Sequence, residues 1–212
     1  MISITIIIIA ITAIISFSAL SNQRLMDQLI FDPPAVSEGN QWYRFLSCAL
    51  IHADMAHLIF NMISLYFFGE LVEQYFKQMF GQMGPLLFIA LYVLSQFFCL
   101  LPTYIEHKHN HYYRSLGASG AVSAVVFAGI FLEPTMKIGL FLLPPIIPGF
   151  IFGPLYLIIS AYLAKQNAGN INHSAHIWGA VAGIVLLLAF GFALTDYNLL
   201  TNFVMKVQRY FN

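Results

Sequence analysis

Gly117-Ala118-Ser119-Gly120 closes a polar stretch and opens an apolar run. A serine placed there sits at a helix N-terminus, where the first backbone N–H groups lack intrahelical acceptors and the dipole is positive. Such an end stabilises the oxyanion formed when a hydroxyl attacks a carbonyl. Glycines on either side let a substrate backbone come close. The same four residues also suit a capping serine in a helix packed through small residues. A second segment bears on the choice. In Ala175-His176-Ile177-Trp178-Gly179-Ala180-Val181-Ala182-Gly183, the residues Ala175, Gly179 and Gly183 fall at i, i+4 and i+8. Gly120, Ala124 and Ala128 form a matching stripe. Small residues at that spacing let two helices approach closely. If the stripes meet, Ser119 and His176 lie near the same end of the pair, as a Ser–His dyad requires. A buried histidine bonded to a backbone carbonyl is the alternative, and it leaves the matching stripes unused.

A third group lies in His52-Ala-Asp-Met-Ala-His57-Leu-Ile-Phe-Asn61. Asp54 is a good N-cap. From that start His57 and Asn61 are i, i+4 on one face, with His52 in the entry loop. Two neutral donors on one face suit a developing oxyanion. A metal site would need a carboxylate or a third well-spaced histidine, and there is no His-Glu-x-x-His, so no metal is expected. Glu73 and Lys77 are i, i+4 with Glu70 nearby, which reads as a solvated helix end. His107, His109 and His111 alternate with Glu106 and Lys108 in what reads as a solvated loop. No Asp or Glu is placed as a third triad member, so a dyad is the most these residues offer. No cofactor is expected.

The elements that position these groups follow from composition. Of 212 residues, 59% are hydrophobic and 8% charged, with a mean hydropathy of +0.78. Soluble domains carry about a quarter charged residues, so the lipid bilayer is the natural solvent for this chain. Net charge is zero and there is no basic run, which argues against nucleic acid. Cys48 and Cys99 lie in apolar segments and read as small hydrophobes. Six segments approach the roughly 20 residues a bilayer crossing needs: 2–20, 54–76, 83–104, 117–132, 149–165 and 174–194. Pro144, Pro145, Pro148 and Pro154 unsettle the start of the fifth. The first is uncharged and too long for a signal-peptide core, so it reads as a retained span. Residues 21–53 form the longest loop, and the tail 195–212 is amphipathic enough to lie along the interface. The fold class is thus an all-α polytopic membrane protein, one domain over 1–212. Four basic residues on one side (Lys77, Lys137, Lys206, Arg209) face five on the other (Arg24, Arg44, Lys108, Arg114, Lys165). Charge therefore does not orient the chain.

Together the motifs resemble the rhomboid family of intramembrane serine proteases. The resemblance runs from about Trp42 to Gly183. It rests on Trp42-Tyr43-Arg44, His52-x4-His57-x3-Asn61, Gly69-x3-Glu73, Gly117-x-Ser119-Gly120 and Ala175-His176-x2-Gly179-x3-Gly183. It implies a six-transmembrane-helix rhomboid-like bundle in which Ser119 attacks the scissile carbonyl and His176 takes its proton. His57 and Asn61 would be side-chain oxyanion donors, with backbone N–H near Ser119 and with Gly117 and His52 in support. Arg44 and Glu73 would hold the first loop, and residues 166–173 would form a lid. Gly120, Gly179 and Gly183 would be structural. Substrates would be transmembrane proteins cut near the membrane boundary, with small residues before the cleaved bond, and the location a bacterial inner membrane. There is one departure: many relatives carry an aromatic residue four positions after the nucleophile, stacked on the base, and here that position is Ser123. Two rival readings remain. A non-proteolytic relative that binds membrane proteins would usually have lost the serine or histidine. A small transporter or channel would use the histidines as a proton path and keep transport after Ser119→Ala.

Overall fold

The computed structural model describes residues 2–139, 144–166 and 171–212. Helix α1 (Ile4–Leu20) starts at Ser3, whose side chain accepts from the Ile6 N–H. The long first loop is built from short helices: α2 (Gln23–Leu29), α3 (Pro33–Gly39), α4 (Arg44–Ser47) and a 3-10 turn over Cys48–Leu50. The starts of α2 and α3 have a local cause. The Asn22 side chain accepts from the Leu25 N–H at 3.1 Å, and Asp32 accepts from Ala35 N–H at 3.1 Å, with two prolines filling the first turn of α3. Asn40, at φ +53°, ends α3 in the left-handed conformation.

Helix α5 (Met55–Phe80) begins where expected, with Asp54 accepting from the His57 N–H at 2.7 Å. It runs a turn beyond residue 76 because nothing breaks it before Gly81, which sits at φ +56°. A 3-10 turn leads into α6 (Gly84–His107). Helix α7 (Ser119–Leu132) starts two residues later than the expected 117, because Gly117 stands at φ +113° outside helical space. A two-residue antiparallel pair, β1 (Lys137–Ile138) with β2 (Ile147–Pro148), precedes α8 (Gly149–Lys165). Pro144, Pro145 and Pro148 all fall before that helix rather than inside it. Helices α9 (His173–Leu194) and α10 (Leu199–Phe211) complete the chain.

The protein is all-α apart from the short strand pair. The stretch Met55–His107, which is α5 and α6 with their turn, and α9 are long and apolar enough to cross a membrane. Helices α1, α7 and α8 are shorter apolar helices. Helix α7 stands at the centre, with α5, α6 and α9 around it, and eleven of its fourteen residues are buried. Its Val125, Ala128 and Leu132 meet Leu65, Val72 and Phe76 of α5, Leu91 of α6 and Leu187 of α9 in the main core. A smaller cluster of Phe31, Phe45, Cys48, Cys99 and Leu100 fastens the first loop to α6, and both cysteines are free and buried.

One expectation is overturned here. Glu73 is not at a solvated helix end and does not hold the first loop. It is buried to 1% exposure against the start of α1. Its carboxylate accepts from the N–H groups of Ile4 at 3.0 Å and Thr5 at 2.9 Å, and from the Thr5 hydroxyl at 3.0 Å. Lys77 pairs with it at 2.7 Å, and Glu70 accepts from the Ser3 hydroxyl. Helix α1 has no acidic residue in its own first turn, so α5 supplies the negative charge that its orphan N–H groups and dipole favour.

Candidate active site

The site begins with backbone contact between α7 and α9. A Cβ on Gly179 would lie 2.1 Å from the Gly120 carbonyl oxygen, and one on Gly183 would lie 2.3 Å from that of Ala124. Only hydrogen fits at either position. The two stripes of small residues therefore do face each other. The contact places His176, one turn before Gly179, over the first residue of α7. Nε2 of His176 and Oγ of Ser119 are 2.8 Å apart. For the hydroxyl to donate, Nε2 must be the unprotonated ring nitrogen. Asn172 fixes where α9 starts. Its side-chain oxygen accepts from the Ala175 N–H at 3.0 Å, and its amide donates to the Thr103 hydroxyl on α6 at 3.0 Å.

The approach to Ser119 is shaped by two histidines. A Cβ on Gly117 would lie 2.7 Å from Cε1 and 2.9 Å from Nε2 of His57, so that imidazole lies against the backbone two residues before the serine. Glycine is required there twice over, by this contact and by its φ of +113°. His52 is fully buried. The Ala118 N–H donates to its Nε2 at 3.4 Å, so the ring proton resides on Nδ1 and is given to Ser16 Oγ at 2.8 Å. The Ser16 hydroxyl then donates to the Leu50 carbonyl at 2.8 Å. This relay joins α1, the entry loop and the start of α7. Burial pushes His52 down to about 3, and His57 nearby adds to the effect, so His52 stays neutral. The His52 and His57 rings meet edge to face at 4.9 Å. Asn61, one turn further along α5, is buried and donates one of its two amide hydrogens to the His57 carbonyl at 2.9 Å.

His52, His57, Gly117, Ser119 and His176 are thus gathered around the first turn of α7, with Gly120, Gly179 and Gly183 forming the contact beneath. Arg44 lies apart from them. Buried in the first loop, it donates to Gln41 Oε1 at 2.6 Å and to the carbonyls of Asp27 at 2.9 Å and Ile30 at 2.6 Å. Of the expected lid at 166–173, residues 167–170 lie outside the described residues. Among the described residues no group of three or more His, Cys, Asp or Glu is arranged to hold a metal. His107 stacks on Tyr113 at 3.8 Å rather than standing free in solvent, and His111 lies 3.5 Å from Glu38.

Several side chains at the site escape a reading by sequence. Ser16 had a signal: Thr5, Thr12 and Ser16 are buried polar residues at i, i+7 and i+11 of an apolar helix, one face that a count of intramembrane polar groups would include. Gln96, buried on α6, donates to the Phe45 carbonyl at 3.3 Å. It lines a cavity of about 10 Å3 together with Cys99, Ser119, Gly120 and Asn172. Tyr156 on α8 gave no signal at all, yet its ring stacks on His176 at 6.5 Å with planes 26° apart.

Comparison with known proteins fits this arrangement to a class. The rhomboid domain matches residues 39–192. The chain belongs to the rhomboid family, which includes intramembrane serine proteases. It is 27% identical over 164 residues to the RHOMBOID-like protein 12, mitochondrial, of Arabidopsis thaliana, covering 70% of this chain and 46% of that relative. It is 26% identical over 154 residues to the putative rhomboid protease YdcA of Bacillus subtilis, covering 70% of this chain and 67% of that one. It is 24% identical over 157 residues to the rhomboid protease GlpG of Haemophilus influenzae, covering 74% of each. The chain spans about half the length of two of the plant relatives it matches.

Proposed function

We propose that this membrane protein is a serine endopeptidase that cleaves transmembrane substrates with a Ser119–His176 dyad. The observation that carries the proposal is the 2.8 Å contact between Oγ and Nε2, made across two helices whose backbones touch. In this reading Oγ bonds to the scissile carbonyl carbon as its proton passes to Nε2. His176 then returns that proton to the departing amine as the C–N bond breaks. Water, deprotonated by the same nitrogen, hydrolyses the acyl-enzyme. The oxyanion meets the unpaired N–H groups at the start of α7 and the side chains of His57 and Asn61.

We further read α1, α5, α6, α7, α8 and α9 as six crossings of one domain, in a bacterial inner membrane. Fourteen residues of α7 span about 21 Å at about 1.5 Å each, short of a hydrocarbon core of about 30 Å. The chain just before α7 is irregular, and such backbone is tolerated at membrane depth only when protein satisfies it. Here the Gly117 N–H reaches the Cys48 carbonyl at 2.9 Å and the Ala118 N–H reaches His52. Ser119 would then react below the membrane surface. A substrate helix must locally unwind to expose its amide, so substrates with Gly or Pro near the cut react faster than stiff Leu-rich ones.

The test is cleavage of a model single-span substrate by detergent-purified protein. Wild type cuts; Ser119→Ala and His176→Ala do not; a chelator changes nothing. Cleavage by both variants at the wild-type rate removes the dyad, and inhibition by the chelator points to a metal instead.

A further inference from the structure

We propose that Tyr156, carried on α8, is a positioning residue that braces the His176 imidazole against Ser119 and that Ser123 on α7 makes room for it. The inference rests on the dyad reading above and adds a residue to it from a helix that carries neither Ser119 nor His176.

Two aromatic planes flank His176. The Tyr156 ring is stacked on it at 6.5 Å, with 26° between the planes, and His173 meets it edge-on at 5.9 Å. Offset stacks and edge contacts at such separations are favourable and directional. Tyr156 is itself held from several sides. Phe152, one turn earlier on α8, stacks on it at 6.0 Å, and Phe127 of α7 packs against it at 5.7 Å. Its hydroxyl lies 3.5 Å from Ser123 Oγ. Ser123 is one turn beyond Ser119 on the same helix, nearly buried at 7% exposure. A bulky side chain there would compete for the volume that the Tyr156 ring fills. The small residue on α7 and the large one on α8 are therefore two halves of one arrangement. A lone imidazole that donates or accepts a single hydrogen bond can swing about its χ2 axis. A ring laid along its face limits that swing and keeps Nε2 aimed at Oγ. The consequence is that the base is oriented partly by α8, the least buried of the six apolar helices, so proton transfer depends on where α8 sits.

A small fluorophosphonate isolates this effect from substrate docking. Ser119 Oγ bonds to phosphorus, the P–F bond breaks and fluoride leaves, and the hydroxyl proton passes to His176. The full chain in detergent is labelled as wild type, Tyr156→Phe, Tyr156→Leu, Ser123→Tyr and Ser123→Tyr/Tyr156→Leu, with Ser119→Ala as the blank. Tyr156→Leu should slow labelling about three- to tenfold, the worth of one aromatic pair. On a peptide-bond substrate the same variant should lower kcat and leave KM unchanged. Tyr156→Phe keeps the ring and should stay within about twofold of wild type. Ser123→Tyr alone should slow labelling, because two rings contend for one space. Added to Tyr156→Leu it should restore the rate, because the ring then returns from α7. Thermal melts on each variant separate these changes from loss of fold. Equal labelling by wild type and a folded Tyr156→Leu overturns the brace while leaving the dyad standing. Absence of labelling on wild type itself overturns the dyad and the brace together.

Discussion

Helices α7 and α8 lie side by side and are built on opposite plans. Eleven of fourteen residues are buried in α7, whereas in α8 only Gly149, Gly153 and Ser160 are buried among seventeen. The α7–α9 contact is backbone against backbone, with no space for a methyl group at Gly179 or Gly183. The outward side of α8 shows Leu155, Ile158, Ile159 and Tyr162. Protein interiors transmit strain because they are close-packed, so Ser119 on α7 is fixed by everything around it. Helix α8 reaches His176 through the ring of Tyr156. In the proposed dyad the pair separates two tasks: α7 and α9 set the distance between Ser119 and His176, and α8 trims the orientation of the imidazole.

The sharpest way to break that contrast is to widen the rigid side. Gly179→Val drives side-chain carbon into the Gly120 carbonyl, and overpacking of this kind costs about 1–3 kcal/mol or more. Chemical unfolding in detergent should show that loss, and cleavage should fall with it. A variant as stable and active as wild type would mean that the helices are not in contact. Next in size is Glu73→Ala, which strips α1 of its external cap and leaves Lys77 unpaired. Losing hydrogen bonds to a buried charge costs about 1–3 kcal/mol, seen as faster proteolysis near the start of α1.

A smaller effect should appear in the pH dependence of stability. Burial holds His52 at about 3 in the folded chain, against about 6.5 when unfolded. The unfolded state therefore binds the extra proton first. The stability that His52 contributes is complete above about 6.5 and declines as pH falls toward 3, with a slope of at most one proton. His52→Gln should flatten that decline in a thermal melt followed across this range. An unchanged slope would show that His52 is not buried neutral. Smallest of all is Ile158→Ala on the outward side of α8, 66% exposed, which should stay within about 0.5 kcal/mol of wild type.

What sequence made visible follows the reach of each interaction. The apolar helices were legible because hydrophobic runs and caps such as Asp54 are local. The segment 149–165 is the helix Gly149–Lys165. The Ser119–His176 pairing crosses 57 positions of chain, yet it could be anticipated, because two stripes of small residues are themselves a periodic signal. The role of Glu73 could not. Its i, i+4 lysine explains it well enough locally, and its other partners lie at Ile4 and Thr5, nearly 70 residues away. Nor could Tyr156: one aromatic residue among the many in apolar helices carries no mark of what it faces. Ser123 was readable as a missing ring, whereas the helix that supplies one had to be seen.

The most direct measurement is the site of covalent modification. Wild-type protein treated with a fluorophosphonate and digested should carry the phosphonyl adduct on Ser119 and on no other serine. His176→Ala should lose most of that adduct at equal exposure while remaining folded. An adduct on another residue, or the same rate of modification at Ser119 without His176, would contradict the dyad.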